Sequence, residues 1–447
     1  MRRLVVVAAL VTIDVFAVLV TTSLAIWVRR SIAPVLPGVE AFSPVTTYLT
    51  LWPALLALIL ARFAVGLYPG YGLHPAEDLK RQTHVTGALL VAILGAGTLF
   101  QFAEVYSRIV LVLTGGLLLL TLPLARSLAK ARLARTRWYG ERAWLVGHSA
   151  RAKEVASSIT NNPELGLVVV GTGPLPARSQ GLATCIVVPE GIDRPLSELL
   201  DELTDSFQRV WLVPELLDVS SVWVSPRDIQ GHLALELRNN LLEKRNQITK
   251  RVLDIALAVA SLPLAVPLAA IISLAIALES RGPVVFTQTR LGRNGKPFEV
   301  YKFRTMHLAA EERLAVFLER DPAAKEEWLR TRKLARDPRV TRVGRFLRRS
   351  SLDELPQLLN VLRGEMSFVG PRPVMPDEVQ WYGDNARHLA RVRPGLTGLT
   401  QVSGRSLLAY EDRVRIDTYY VRNWSVWLDL TILGRTIGAV VKGRGAY

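Results

Sequence analysis

Apolar positions are unevenly distributed along the chain. Four long runs, roughly Leu4–Val28, Thr46–Leu67, Val85–Phe102 and Ile109–Leu124, fill the first third. Each approaches the ~20 residues that a membrane-spanning helix needs. The first is expected to be a span rather than a secretory signal: it is long, three more follow, and no small-residue cleavage site precedes a secreted domain. From Ala143 the runs become short. "AWLVGHSARAKEVASSI" reads as a strand, a turn at Gly147 and a helix, and "GLVVVG", "TCIVVP" and "RVWLVP" follow as further strands with helical stretches between them. That alternation predicts a parallel α/β sheet.

A fifth apolar stretch, Arg251–Arg281, is long enough to span but contains Asp254, Pro263 and Pro267. Basic residues flank it on both sides: Lys244, Arg245, Lys250 and Arg251 before, Arg281, Arg290, Arg293 and Lys296 after. Basic flanks favour one face of a membrane, whereas a single crossing separates them. A segment that enters, bends at Pro263 and Pro267 and returns removes the conflict; a kinked span is the alternative. Beyond it, "PVVFTQ" and "FEVYKF" flank the turn-forming "GRNGKP" and predict a hairpin. A charged stretch, Leu308–Arg336, reads as a solvated helix or pair of helices. The tail has apolar residues at Val426, Leu430, Leu433, Ile437 and Val441, which suits either an interfacial helix or a core helix.

Composition narrows the class. The chain has 447 residues, 50% hydrophobic and 21% charged, with a net charge of +16. It is too apolar for a disordered or purely nucleic-acid-binding chain, and no nucleic-acid partner is expected. The basic balance suits phosphorylated ligands, anionic lipid surfaces or loops kept on the cytoplasmic side. Cys185 is the one cysteine and the six histidines do not cluster, so disulfides and Cys- or His-rich metal sites are not expected. Arg2, Arg3, Lys80, Arg81 and the segment "RSLAKARLARTRWYGER" place the N-terminus and everything after Arg126 on the cytoplasmic side, with Arg29 and Arg30 the exceptions.

Candidate chemistry concentrates in "SLDELPQLLNVLRGEMSFVGPRP" (Ser351–Pro373). Asp353 and Glu354 are adjacent acids, and Arg348, Arg349 and Arg372 supply the forked donors that suit phosphate oxygens. Ser351 and Glu354 also match a capping box, although Pro356 sits where a missing N–H starts to matter. Neighbouring helical residues point about 100° apart, so the two acids can take different tasks, one attacking phosphorus and one holding a hard cation such as Mg²⁺. Phosphoryl transfer and a structural acid–base cluster are both open on these residues alone. "RVRPGLTGLTQVSGR" (Arg391–Arg405) is a Gly- and Thr-rich segment able to approach a nucleotide or to serve as a plain connection. In the middle region, Ser149 and Ala152 stand where a dinucleotide fingerprint has glycines, so a structural or regulatory domain is the alternative to cofactor binding.

"YKFRTM", the Ser351–Pro373 segment, "RPGLTGLTQVSGR" and "YYVRNWSVWLDLTIL", in that order, resemble the bacterial sugar transferase family of monotopic polyprenyl-phosphate phosphoglycosyl transferases, from about Lys250 to Tyr447. Four preceding spans and a degenerate nucleotide-fold domain resemble its large members, the undecaprenyl-phosphate galactose and glucose phosphotransferases. The resemblance implies a membrane protein of mixed class with four transmembrane helices (1–126), a cytoplasmic Rossmann-like α/β domain (143–240) and a re-entrant helix with a mainly α-helical catalytic domain (249–447). It implies transfer of a hexose 1-phosphate from UDP-hexose to undecaprenyl phosphate, the first membrane step of exopolysaccharide, O-antigen or capsule synthesis. Asp353 matches the nucleophile, and Glu354 the partner acid assigned to metal or phosphate. Arg348 and Arg372 match arginines expected near the phosphates, Lys302 and Arg304 match an element expected near the active site, and Gln401 and Arg405 are assigned to substrate. Mg²⁺ held by Asp353 and Glu354 is the implied cofactor; the partners are UDP-sugar, undecaprenyl phosphate and the bilayer of the bacterial inner membrane, and a homodimer is possible. Pro267 matches the proline of the family's Ser-Pro bend, with Val266 replacing the serine. The rival expectations are a transporter built from the four spans, for which they carry few polar residues, and a nucleotide-sensing membrane regulator without catalysis.

Overall fold

The fold was taken from a computed structural model that describes residues 2–32, 51–99, 107–174, 182–192, 196–213, 224–229, 232–237, 241, 243–331, 334, 337–403 and 410–441. The chain divides into two compact units, Met1–Leu217 and Asp218–Tyr447.

In the first unit, α1 (Arg2–Ile32), α2 (Trp52–Ala64), α3 (Pro75–Leu99) and α4 (Arg108–Leu133) are the four helices expected from the apolar runs. Of these, α1 and α4 are long and apolar enough to cross a membrane, and α2 is a shorter apolar helix. The start of α3 is polar: Glu77 and Asp78 stand in its first turn, and Lys80 and Arg81 follow. Apolar packing joins α1 to α4 and α2, through Ala17, Leu58 and Leu122. One buried ionic group ties all four helices: Arg62 Nη1 lies 2.6 Å from Asp14 Oδ2, Lys130 Nζ lies 2.9 Å from Asp78 Oδ2, and Arg126 joins the two pairs at 3.7 Å from each carboxylate.

The sheet follows. Strands β1 (Glu141–Val146), β2 (Leu167–Gly173), β3 (Thr184–Val187) and β4 (Arg209–Leu212) are all parallel, in the order β2-β1-β3-β4. Alternation along β1 builds two cores. Ala143 and Leu145 pack with Ala152 and Ile159 of α5 (Ala150–Asn161), and Val146 packs with Leu199 and Leu203 of α6 (Leu196–Ser206). One helix therefore covers each face, as a parallel sheet buried on both sides requires. Ser149, at a position where the fingerprint has glycine, accepts a hydrogen bond from Ala152 N at 3.1 Å and caps α5 with its own hydroxyl.

The second unit opens on an antiparallel pair, β5 (Val224–Ile229) and β6 (His232–Leu237), and then on α7 (Lys244–Glu279), a 36-residue helix apolar enough to cross a membrane. The helix runs on through Pro263 and Pro267. A proline frees the carbonyl four residues earlier; Ser261 Oγ donates instead to Ala258 O at 2.7 Å, so it does not compensate for either proline. Both ends of α7 pack on the same protein body. Near its start, Lys250 Nζ lies 2.7 Å from Asp429 Oδ2, Asp254 Oδ1 accepts from Ser367 Oγ and Phe368 N, and Ala258 packs with Val300, Val361 and Met366. Near its end, Ile272 and Ile276 pack with Phe303 and Leu347. Between them Val259, Leu264, Val266 and Ile271 are exposed.

The hairpin is β7 (Val285–Leu291) against β8 (Pro297–Phe303), turning through Asn294 and Gly295, both at positive φ. The charged stretch forms a pair, α8 (Ala310–Arg320) and α9 (Pro322–Thr331). After α10 (Arg342–Ser350), a 3₁₀ turn over Leu352–Gln357 and α11 (Leu358–Arg363), the parallel strands β9 (Ser367–Val369) and β10 (Gly395–Thr397) bracket α12 (Ala386–Leu389). Short α13 (Leu399–Val402), α14 (Tyr410–Arg422) and α15 (Val426–Val441) close the described chain. Leu428, Asp429 and Ile432 of α15 are buried and Ile437 is exposed, so the tail helix is core at its start and turns an apolar residue outward later, where Thr436 still hydrogen-bonds Thr397.

Candidate active site

The paired acids do not sit in an α-helix. Residue Ser351 adopts a left-handed conformation (φ 57°) that ends α10, and its side chain caps nothing, so the capping box is not formed. A 3₁₀ turn has three residues per turn, which puts Leu352 and Leu355 on one side. Both pack toward the core made by Ile272, Ile276, Phe303 and Leu347. Asp353 and Glu354 are left on the remaining two thirds of the turn. Pro356 is accommodated here because the chain restarts as α11 only at Leu358.

Two neighbouring elements bring cations. From β8, Lys302 Nζ donates to Glu354 Oε1 at 2.8 Å. From the last turn of α10, Arg348 Nε donates to Thr305 Oγ1 at 3.0 Å, and its charge acts on Asp353. The approach of α10 is close. Its Gly344 stands over Thr305, where an added Cβ would lie 2.1 Å from Thr305 O. Thr341 Oγ1 accepts from Gly344 N at 2.9 Å, and the carboxylate of Glu279, the last residue of α7, accepts from Arg342 N and Val343 N at 2.7 and 3.1 Å. The N-terminus of α10 is thus capped twice, which fixes the direction in which Arg348 leaves it.

Burial, and then the charge of Glu354, push the Asp353 carboxyl up to about 6, against the opposing pull of Lys302 and Arg348. The arrangement can present a carboxylate with a basic flank to a phosphoryl group. Its donor set also fits Mg²⁺, which takes one or two carboxylates together with substrate phosphates. Asp353 and Glu354 supply such hard oxygens side by side, although no group of three or more metal-ligating side chains occurs among the described residues.

The other expected residues make different contacts. Arg304 is buried and its Nη2 donates to Ser280 O and Ser280 Oγ at 2.7 and 2.8 Å, against the end of α7. Arg372 is exposed and acts on Asp417 and Arg290. Gln401 Nε2 donates to Leu396 O at 3.1 Å within the Gly- and Thr-rich segment. Arg405 is outside the described residues. Sequence reasoning missed Thr305 and Asp417. The signal for Asp417 was its register: it shares one face of α14 with Val414 and Val421, and a carboxylate on an apolar stripe needs a partner.

Residues 245–443 match the family model described as bacterial sugar transferase. The chain is 34% identical over 366 residues to a UDP-galactose-lipid carrier transferase of Erwinia amylovora, covering 76% of each chain. It is 33% identical over 333 residues to the UDP-glucose:undecaprenyl-phosphate glucose-1-phosphate transferase of Escherichia coli, covering 68% of each. An undecaprenyl-phosphate galactose phosphotransferase of Salmonella typhimurium is 44% identical over 215 residues, 48% of this chain and 45% of that one. With relatives 33–34% identical over two thirds or more of both lengths, the chain belongs to the bacterial sugar transferase family.

Proposed function

We propose that this membrane enzyme transfers a hexose 1-phosphate, galactose or glucose, from UDP-hexose to undecaprenyl phosphate, with Asp353 as nucleophile. The observation that carries the reading is the Asp353–Glu354 pair held on a 3₁₀ turn between Lys302 and Arg348. The relatives act on galactose and glucose donors, which supports the substrate class. An Asp353 carboxylate oxygen attacks the sugar-bearing β-phosphorus, the bond to the bridging oxygen breaks, and UMP leaves. The hexose phosphate then rests on Asp353 as an acyl phosphate. A phosphate oxygen of the lipid attacks the same phosphorus, the carboxylate leaves, and the lipid diphosphate sugar is complete. Covalent catalysis splits one displacement between two anions into two steps. Lys302 and Arg348 offset the charge of the incoming diphosphate, and Lys302 also orients Glu354. Bound Mg²⁺, held by Asp353 and Glu354, would neutralise phosphate charge.

The lipid acceptor calls for a site at the membrane surface. Lys250, Asp254 and Ala258 at one end of α7, and Ile272, Ile276 and Glu279 at the other, pack on one protein body. One face of α7, carrying Ala258, Ala265, Ile272 and Ile276, is buried, while exposed apolar residues run along the helix from Ile248 to Leu278. These facts support a helix that dips into one leaflet and returns, with Pro263 and Pro267 inside the dip and the catalytic body on the cytoplasmic face. The four-stranded parallel sheet with a helix packed on each face supports a Rossmann-like middle domain.

The test is incubation of the purified protein with radiolabelled UDP-galactose or UDP-glucose, with and without undecaprenyl phosphate. Labelled lipid and UMP are expected with acceptor, and a labelled adduct on Asp353 without it. Lipid product formed by an Asp353→Asn variant at the wild-type rate would overturn the assignment.

A further inference from the structure

Asp417 is 1% exposed, and the reaction above gives it no task. Its Oδ1 accepts from Thr400 Oγ1. The Arg372 backbone N–H and the Arg372 and Arg413 guanidinium charges act on the same carboxylate, whose Oδ2 is buried without a hydrogen-bond partner among the described residues. One carboxylate on α14 thereby joins the Pro371–Pro373 segment, the start of α13 and its own helix. A carboxylate buried this deeply is costly unless its hydrogen bonds are made.

The backbone around Arg372 is held from other sides too. Gly370 N donates to Thr397 O at 2.9 Å and Gly395 N donates to Pro371 O at 2.8 Å. A Cβ on Gly370 would lie 2.7 Å from Arg393 O, so the two segments approach as closely as glycine permits. Prolines on both sides restrict the backbone further. Only the Arg372 side chain is exposed. A guanidinium with a fixed root and a free head suits phosphate recognition, because little freedom remains to be lost on binding.

We propose that Asp417 is a positioning residue: through the Arg372 backbone N–H and the Thr400 hydroxyl it sets the direction in which Arg372 meets the donor diphosphate. This rests on the reading of Arg372 as a phosphate ligand. Asparagine at 417 keeps an acceptor oxygen for the Thr400 hydroxyl and alanine keeps none.

The test is a double-mutant cycle on the full chain, read as kcat and KM for UDP-hexose, with melting temperature recorded alongside. Asp417→Ala is expected to lower kcat/KM about tenfold or more, and to lower it no further in an Arg372→Ala background, because residues acting through one another are not additive. Asp417→Asn is expected to return activity to within about threefold of wild type. Additive losses, or an Asp417→Asn variant as impaired as Asp417→Ala, would overturn the proposal. Should Asp417→Ala fail to fold, Thr400→Val serves in its place: its loss must vanish in the Arg372→Ala background, and persistence overturns the inference. Wild-type kinetics in Arg372→Ala would instead sink the reading of Arg372 itself, and no lipid product from the wild-type enzyme would sink the proposed activity.

Discussion

The carboxylate of Glu279 accepts the backbone N–H of Arg342 at 2.7 Å. The residue that ends the long apolar helix is thereby the cap of the helix that delivers Arg348. Capping side chains typically contribute about 0.5–2 kcal/mol. Glu279→Ala is therefore expected to lower unfolding free energy by about 1 kcal/mol and to reduce turnover as Arg348 loses its fixed direction. Glu279→Gln, which still accepts, should recover most of both. Denaturant titration in detergent and a UMP-release assay check the pair.

Asp353 must be ionised to attack. With its carboxyl held at about 6, adduct formation is expected to fall by half near pH 6 and about tenfold per unit below that. The linkage has the opposite sign for stability. A raised carboxyl pKa favours the protonated folded form, so this contribution is complete below the ordinary value of about 4 and is lost as pH rises through about 6. Single-turnover adduct formation across pH measures the first effect and thermal melting the second.

Lys302 opposes the rise in the Asp353 carboxyl and pairs with Glu354. Replacing it with methionine should move the acid limb of the rate profile to higher pH and weaken donor binding. A limb that stays in place in Lys302→Met would mean that Lys302 does not act on Asp353.

Gly344 stands over Thr305 with no room for a methyl group. Gly344→Ala is expected to push α10 away, break the Arg348–Thr305 hydrogen bond and cost about 1–3 kcal/mol through overpacking. The measurement is the melting temperature together with kcat, and both should fall.

The hairpin, the paired charged helices, the parallel sheet and the long apolar helices were legible because each rests on local periodicity and turn chemistry. The second apolar run was read as Thr46–Leu67; the helix Trp52–Ala64 lies within it, it ends three residues before Leu67, and residues 46–50 lie outside the described residues. Of the site, Asp353, Glu354, Lys302 and Arg348 were found, and they do meet. Thr305 and Asp417 were not, because their roles depend on close approach of segments far apart in sequence. Ser351 misled in a different way: its spacing to Glu354 imitates a cap, but the backbone at Ser351 turns left-handed and the hydroxyl cannot reach.

Lys250 of α7 finds its buried carboxylate partner, Asp429, 179 residues later in the chain. At about 5–20 residues per second, a ribosome needs roughly 10–35 s to make that partner. Throughout this interval the root of the helix carries a cation with nowhere to bury it, and water or lipid phosphates at the membrane surface must hold it. Burial of Lys250 therefore belongs among the last events of synthesis, and a chain cut short before Asp429 would dock the rest of the helix on Ser367, Met366 and Phe303 while leaving this charge without its partner.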